Sequence, residues 1–277
     1  MKVENFLIIG GTGKTGRKVV TSLQQLHQNV RIGSRSTRPI FDWQQPETWE
    51  AALDGIDKVY ITFQPDLAVP GALQTIETLV RLAKKKNIKK LVLLSGKGET
   101  EAELCEQAVI HSGVEYTIVR ASWFSQNFSE SFFLDPILEG HVALPMAEAK
   151  VPYVDTGDIA DVVVETLLHN EHNGKIYELT GPSLWTFEEA TQEIAKATNR
   201  EIHFTPISLE AYIGFLEQAH VPSDFIWLIN YLFMHVLTNE DNAIICNDIE
   251  KVLKRKAKDF SEYVKETSVT GVWGVTN

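Results

Sequence analysis

The seven residues from Gly10 to Gly16 read GGTGKTG and include four glycines. They follow an apolar run, FLII at 6–9, and precede a segment whose apolar residues recur at helical spacing. Between a strand and a helix, such glycines permit a tight turn, let the backbone approach a pyrophosphate and let the helix pack closely on the strand. The helix N-terminus adds N–H groups and a positive dipole end. The pattern therefore predicts dinucleotide phosphate contacts at Gly10, Gly11, Thr12, Gly13, Lys14, Thr15 and Gly16.

The Gly-Lys-Thr sequence at 13–15 also occurs in the P-loop that binds ATP or GTP. That motif requires a glycine five residues before Gly13, and this chain has Ile8 there. The loop is also too short to wrap a triphosphate, so a P-loop is excluded.

The residues after the second predicted strand indicate which dinucleotide fits. An NAD site places Asp or Glu there, to accept a hydrogen bond from the ribose 2′-hydroxyl. The sequence at 33–38 is GSRSTR, with two guanidinium groups and no carboxylate. Arginine binds phosphate through charge-assisted hydrogen bonds, and a carboxylate would repel it. The pattern predicts NADP(H) as cofactor, held by Ser34 and Arg35 with help from Lys14 or from Arg38, which is equally well explained as a surface arginine.

Ligands of open parallel sheets lie beyond the carboxyl ends of the strands. Thr62 and Phe63, after the third predicted strand, are expected beside the adenosine half of the cofactor. The segment Ser95, Gly96 and Lys97, after the fourth, is expected beside the nicotinamide half. Lys97 is the one weak catalytic candidate, because its amine could stabilise a developing oxyanion or bind the cofactor. The alternative is a solvated loop lysine.

The loop at 122–128, after the fifth predicted strand, is rich in aromatic residues. Trp123, Phe124 and Phe128 are candidates for an aromatic wall against a flat substrate, and Asn127 is the polar candidate in that wall. The alternative is that these aromatic residues form core.

These candidates require an alternation of strands and helices. Apolar runs at 6–9, 30–32, 59–61, 91–94 and 116–119 alternate with helical patterns near 47–53, 71–86 and 99–112. Continuous apolar strands are typical of a parallel sheet covered on both faces. The fold class predicted is α/β, a doubly wound, Rossmann-like parallel sheet.

After residue 120 the pattern changes. Helices are predicted near 125–139, from about 156 to 169 and, from the capping box of Thr186 and Glu189, to about 198. Strands are predicted at 175–179 and 201–206. We expect a Rossmann-like NADP-binding domain at 1–150, with a contribution from about 151–182. We also expect residues 183–277 to form a small, mostly helical substrate lobe that does not fold independently.

Composition excludes several classes of protein. The two cysteines, Cys105 and Cys246, form no CxxC pair, and no Cys/His cluster has zinc spacing, so neither a disulfide scaffold nor a metal site is predicted. No apolar run reaches the length of a membrane span. Residues 1–97 have 15 Lys and Arg against 8 Asp and Glu, a net +7; the rest have 11 against 29, a net −18. The acidic total disfavours nucleic acid, and a reducing cytoplasm is the expected compartment.

Several segments resemble the NmrA-like family of atypical short-chain dehydrogenase/reductases. They are the glycine turn, the sequences LLS at 93–95, HSGVEYTIVR at 111–120, ASWFSQNF at 121–128, VDTGDIADV at 154–162 and YELTGP at 177–182. The nearest resemblance is to NADPH quinone reductases and to festuclavine dehydrogenase. The resemblance implies an NADPH-dependent oxidoreductase; the family also includes non-catalytic, NADP-binding redox sensors that act through a protein partner.

One departure from the larger group bears on the chemistry. Most short-chain dehydrogenases use a Tyr-x-x-x-Lys pair for proton transfer, whereas residues 99–112 contain neither Tyr nor Lys. The acceptors that suit such a site are those that need little help with a proton, such as an iminium, a quinone or an enone. The proton is then expected from water. We also expect the protein to act on a small-molecule substrate, and a homodimer is an option for its assembly.

Overall fold

The computed structural model describes residues 4–274. Six parallel strands form one sheet in the order β2-β1-β3-β4-β5-β7, and a parallel pair, β6 and β8, forms a second sheet. The strands are β1 Asn5–Ile9, β2 Asn29–Gly33, β3 Lys58–Ile61, β4 Lys90–Gly96, β5 Glu115–Ala121, β6 His141–Leu144, β7 Lys175–Leu179 and β8 His203–Pro206.

Helices connect the strands. They are α1 Gly16–Gln25, α2 Trp49–Leu53, α3 Ala72–Lys85, α4 Thr100–Ile110, α5 Asn127–Glu130, α6 Leu134–Glu139, α7 Thr156–Leu168, α8 Phe187–Thr198, α9 Leu209–Gln218, α10 Ser223–Tyr231, α11 Asp248–Leu253 and α12 Phe260–Ser268. Short 3₁₀ helices span Pro46–Thr48, Asn170–His172 and Glu240–Ala243, and a π-helical turn spans Leu232–Val236.

The large sheet confirms the α/β prediction. Phe6 to Ile9 of β1 are completely buried, as are Val59 to Ile61 of β3, which is what a sheet covered on both faces requires. The strand order reverses between β1 and β3, because β2 lies on one side of β1 and β3 on the other. Ligands of doubly wound sheets bind outside the carboxyl ends at such a reversal. This edge carries the glycine turn.

The contacts within the chain define two compact units. Among the described residues, the first comprises 4–121 with Thr156–Leu179 and Asp248–Lys254; the second comprises Ser122–Asp155, Thr180–Asn247 and 255–274. The predicted boundaries, 1–150 with about 151–182 and then 183–277, differ from this division. Segment Ser122–Asp155 belongs to the second unit because its aromatic side chains pack with those of α8 and α12, a long-range contact that no local pattern indicates.

Most predicted elements are present, with two differences. The helix predicted near 125–139 is two short helices, α5 and α6, separated by residues 131–133. Strand β6 was not predicted; it pairs in parallel with β8, and four residues beside a single partner give a weak periodic signal. The capping box predicted at Thr186 and Glu189 is confirmed: the Thr186 hydroxyl accepts from the Glu189 N–H at 3.1 Å, and the Glu189 carboxylate accepts from the Thr186 N–H at 2.8 Å.

Candidate functional site

The glycine turn joins β1 to α1 at the carboxyl edge of the sheet. Gly10 has φ of 71°, and a Cβ atom there would collide with the hydroxyl of Thr62. Its N–H donates to the carbonyl of Gly33 at 2.9 Å, which ties the turn to the end of β2. A Cβ at Gly16 would collide with the Gly10 carbonyl, so α1 starts in direct contact with the turn. These contacts agree with the roles that dinucleotide-binding glycines have.

Thr15 is positioned by a residue that the sequence did not single out. The Tyr60 hydroxyl of β3 donates to Thr15 Oγ1 at 3.0 Å, and both side chains are buried. Burial raises the pKa of Tyr60, so its hydroxyl remains a donor at neutral pH. A tyrosine in the middle of a buried strand reads as core in a sequence, which is why this role was missed.

The loop after β2 presents Arg35 to solvent. Ser34 Oγ lies 3.1 Å from the hydroxyls of both Ser36 and Thr37, and Thr37 donates to the carbonyl of Ile32 at 2.7 Å. The loop is therefore ordered by its own hydroxyl groups. Within residues 4–274, the guanidinium of Arg35 has no hydrogen bond or ion pair, and no carboxylate occurs at 33–41. An exposed arginine without an acidic neighbour fits a 2′-phosphate.

Thr62 and Phe63 follow β3 beside the glycine turn. Thr62 Oγ1 donates to the carbonyl of Ile9 at 3.1 Å, and the indole N–H of Trp43 donates to the carbonyl of Thr62 at 3.2 Å. The rings of Trp43 and Phe63 pack with centroids 4.8 Å apart. Trp43, also unpredicted, therefore fixes this edge of the predicted adenosine site.

The segment after β4 contains buried polar groups. Ser95 Oγ is buried and has no hydrogen-bond partner within the described chain. Lys97 is only 8% exposed, its N–H donates to the carbonyl of Ala121 at 2.9 Å, and its Nζ lies 3.7 Å from Glu178 Oε2. The alternative of a solvated loop lysine is therefore wrong. Ser95 has an unsatisfied hydroxyl available for a ligand, whereas Lys97 already has an acidic partner.

The aromatic segment at 122–128 belongs to the second unit. Trp123 is partly exposed and packs on Phe133, Phe187 and Phe233. Phe124 is also partly exposed, and its backbone pairs with Val154.

Asn127 is partly exposed where α5 begins, but Phe128 has no exposed surface and lies among Phe133, Tyr153 and Phe260. The burial of Phe128 favours the core alternative for that residue.

The structure brings the cofactor candidates of the first unit to the carboxyl edge of the large sheet. Each candidate segment lies at or follows the carboxyl end of a parallel strand: the glycine turn, the loop at 34–35, and the segments at 62–63 and 95–97. The four substrate candidates lie together in the second unit. Among the described residues, no group of three or more His, Cys, Asp or Glu side chains could hold a metal ion. No helix within 4–274 is long and apolar enough to cross a membrane.

Comparison with known proteins gives one family match. The sequence model described as NAD(P)H-binding matches residues 10–170. The curated relatives include Prestalk A differentiation protein A of Dictyostelium discoideum, 28% identical over 95% of this chain and 92% of that protein. An NAD(P)H azoreductase of Xenophilus azovorans is 28% identical over 94% of this chain and 96% of that protein. An agroclavine dehydrogenase of Claviceps fusiformis is 28% identical over 79% of this chain and 82% of that protein.

Solved structures share the fold at low sequence identity. A nucleoside-diphosphate-sugar epimerase of Staphylococcus aureus has a TM-score of 0.78 at 18% identity, covering 94% of this chain and 99% of that one. An NADPH-dependent quinone oxidoreductase of Escherichia coli, complexed with NADPH, has a TM-score of 0.77 at 20% identity. The match covers 95% of this chain and 99% of that one. NmrA, a negative transcriptional regulator in complex with NAD, has a TM-score of 0.73 at 13% identity. The match covers 99% of this chain and 100% of that one.

The family match spans more than half of the chain, and it begins in the glycine turn where the dinucleotide site was predicted. The expected cofactor was NADP(H); the match confirms a domain that binds NAD(P)H, and the expectation of a Rossmann-like fold is also confirmed. The chain belongs to the NAD(P)H-binding family and is an NAD(P)H-dependent oxidoreductase.

Proposed function

We propose that this oxidoreductase uses NADPH to reduce a small unsaturated acceptor, of the quinone, iminium or enone class. The observation that carries the acceptor class is the composition of α4, TEAELCEQAVI, which has neither the tyrosine nor the lysine of carbonyl-reducing short-chain dehydrogenases. The cofactor supplies a hydride when bound, and the chain must then position the acceptor rather than act as a nucleophile. A relative named NAD(P)H azoreductase supports an acceptor with unsaturated nitrogen.

The preference for NADP(H) over NAD(H) rests on Arg35. We assign its exposed guanidinium to the 2′-phosphate, with Ser34 beside it. A charge-assisted hydrogen bond contributes about 1.5–3 kcal/mol, so Arg35→Asp should weaken NADP⁺ binding by about 10- to 100-fold and leave NAD⁺ binding nearly unchanged. Isothermal titration calorimetry with both cofactors measures this. Arg81→Asp on α3, an exposed arginine with no role at the edge, controls for the change in net charge.

Equal affinity of the unaltered protein for NADP⁺ and NAD⁺ would contradict the assignment of Arg35. An equal loss of NADP⁺ affinity in the Arg35→Asp and Arg81→Asp variants would contradict it as well, because long-range charge alone would then explain the effect.

The other assignments follow the sheet edge. We assign the pyrophosphate to the turn at 10–16, the adenosine half to Thr62 and Phe63, and the nicotinamide half to the segment at 95–97. The Ser95 hydroxyl, buried without a partner in the described chain, is suited to a ribose hydroxyl or a carboxamide. Trp123, Phe124 and Asn127 are proposed as the acceptor wall, with Phe128 supporting it from the core.

Consumption of NADPH against a panel of quinones, imines and enones tests the reductase. Turnover of any of these supports it. No turnover, together with a protein partner whose binding depends on the cofactor, would instead support a redox sensor of the NmrA type.

We further propose a cytoplasmic protein that works on a small molecule and not on nucleic acid, since the net charge of −11 repels a polyanion. A homodimer is proposed as well, because large apolar side chains of the second unit, including Phe215 and Trp227, are exposed. Sedimentation equilibrium tests the dimer.

A further inference from the structure

Two acidic side chains of the first unit meet beside the carboxyl ends of β3 and β4. Asp66 lies in the loop between β3 and α3, and Glu99 directly precedes α4. Their carboxyl groups lie close enough to share a hydrogen bond once one of them holds a proton, and Asp66 Oδ1 accepts from the N–H of Ala68 at 2.8 Å. The thiol of Cys105 on α4 contacts the carbonyl of Leu67 at 3.8 Å, which holds the loop against the helix.

The pair lies against the end of β4. The Glu99 carboxylate is packed so closely on Gly96, the last residue of β4, that a Cβ atom at Gly96 would collide with it. Glu99 is only 7% exposed, yet its Oε2 has no hydrogen-bond partner within the described chain. The buried hydroxyl of Ser95, the residue before Gly96, also lacks one. Two unsatisfied polar atoms at one strand end indicate a place where a ligand completes the hydrogen bonding.

The surroundings favour one proton on this pair. Burial raises the pKa of Glu99 well above its usual range, and the charges of Asp66, Glu101 and Glu106 raise it further. Burial also raises the pKa of Asp66, while the hydrogen bond from Glu99 opposes that rise. Cys105 adds no charge, because burial raises the pKa of its thiol to about 12. Two adjacent carboxyl groups surrounded by acids favour a resting state in which one of them keeps its proton.

We propose that Asp66 and Glu99 hold one shared proton and deliver it to the acceptor during reduction. This inference rests on the proposed function, and it replaces water, the source expected from the sequence, for acceptors that require a proton. Glu99, the proton donor of the pair, lies against the end of β4, to which the nicotinamide half of the cofactor is assigned, so the proton and the hydride would reach the acceptor from the same edge.

The step balances for a quinone. The acceptor gains a hydride from the cofactor, with its electron pair, and one of its oxygens becomes an anion. The O–H bond of Glu99 breaks, the proton bonds to that oxygen, and the electron pair remains on the Glu99 carboxylate. Asp66 and Glu99 are then both ionised, and a proton from solvent restores the pair. An iminium needs only the hydride, so its reduction does not use the pair.

Infrared spectroscopy tests the proton without any turnover. The unaltered protein at neutral pH should show the C=O stretching band of a protonated carboxylic acid. Glu99→Gln should remove that band, and Glu77→Gln, an exposed acid on α3, should retain it. A protein without the band, or a Glu99→Gln variant that keeps it, would overturn the proposal.

Two acceptors separate proton delivery from hydride transfer. Glu99→Gln should lower kcat with para-benzoquinone by about 10²-fold or more, the range for loss of a general acid, and leave kcat with N-methylacridinium unchanged, since this cation takes only a hydride. Asp66→Asn should act in the same direction and serves as the second variant if Glu99→Gln does not fold. Glu77→Gln should reduce both acceptors at the normal rate.

The outcomes distinguish the two proposals. If the unaltered protein reduces both acceptors and the Asp66 and Glu99 variants lose both equally, or neither, the shared proton has no part in catalysis. If the unaltered protein reduces neither para-benzoquinone nor N-methylacridinium, the proposed reductase function fails for these acceptors, and proton delivery fails with it; the infrared band then reports the protonation of the pair by itself.

Discussion

Lys97 differs from the other candidates at the sheet edge because its charge is already paired. Its Nζ lies 3.7 Å from Glu178, and Glu178 Oε1 also lies 3.6 Å from Arg120 Nη1. Its side chain is therefore held by an acidic partner near the predicted nicotinamide. Its effect on catalysis is therefore expected through positioning of the cofactor.

At the residue scale, we predict that Lys97→Ala lowers kcat by well under the ~10²–10⁴-fold of an essential general acid. Steady-state kinetics with saturating NADPH measures this, together with NADP⁺ affinity by calorimetry. Lys89→Ala is the control: it removes another paired lysine, 2.7 Å from Asp57, in the turn just before β4 begins. A larger loss for Lys97→Ala, with cofactor affinity intact, would identify Lys97 as the acid.

At the scale of elements, an ion pair connects α4 to the sheet. Arg120 of β5 donates to both carboxylate oxygens of Glu106, with Nη2 2.6 Å from Oε2, and Glu106 is completely buried. Burial of both charges is tolerated because the bidentate geometry satisfies the carboxylate. Removal of one partner would leave a guanidinium in a largely buried place.

We predict that Glu106→Leu lowers the free energy of unfolding by about 3 kcal/mol, near the lower limit for breaking a buried pair, since Glu178 and Glu103 still lie near Arg120. The double variant Glu106→Leu with Arg120→Met should recover most of that loss, because no uncompensated charge remains. Urea unfolding measures both. A double variant less stable than the single one would show that the pair is worth more than the packing that replaces it.

The turn between β1 and α1 allows a second prediction at this scale, with a matched control. Gly10 and Gly55 both have φ of 71°, but a Cβ would collide with Thr62 only at Gly10 and would meet nothing at Gly55. Gly55→Ala should therefore cost about 1–2 kcal/mol of backbone strain. Gly10→Ala should cost more and also abolish measurable NADP⁺ binding, because the displaced turn no longer fits a pyrophosphate. Equal effects on stability and on binding would contradict this.

At the scale of the whole molecule, each compact unit is built from separate stretches of chain. In the second unit, Phe187 of α8 packs with Trp123 and Phe133, and Phe260 packs with Phe128 and Tyr153. The aromatic core of this unit therefore requires both the segment Ser122–Asp155 and the later part of the chain.

We predict that a fragment of residues 183–277, the predicted lobe, does not fold by itself. It would lack the aromatic side chains supplied by 122–155 and expose those left without partners. Circular dichroism and thermal unfolding of the isolated fragment measure this, with the full chain as the reference. A cooperative thermal transition in the fragment would contradict the prediction.

The sequence by itself determined the features that are local. The apolar runs predicted five of the six strands in the large sheet, and a further strand was predicted at Lys175–Leu179. The central strands β1 and β3 are buried along almost their whole length, so each carries a continuous apolar signal of its own. The glycine turn and the capping box at Thr186 were also predictable, since their geometry depends on neighbours within a few residues. The family resemblance rested on the same local motifs.

Only the tertiary structure decided features that depend on distant residues. Three examples are the hydrogen bond from Tyr60 to Thr15, the ion pair of Lys97 with Glu178 and the burial of Phe128. Each depends on contacts between segments that are far apart in the sequence, and no sequence periodicity indicates such contacts. The same holds for Asp66 and Glu99, which read as ordinary loop acids 33 positions apart in the sequence. Their contact arises because parallel strands place the loops that follow them at one edge, so the chemistry of the edge depends on strand order and not on sequence distance.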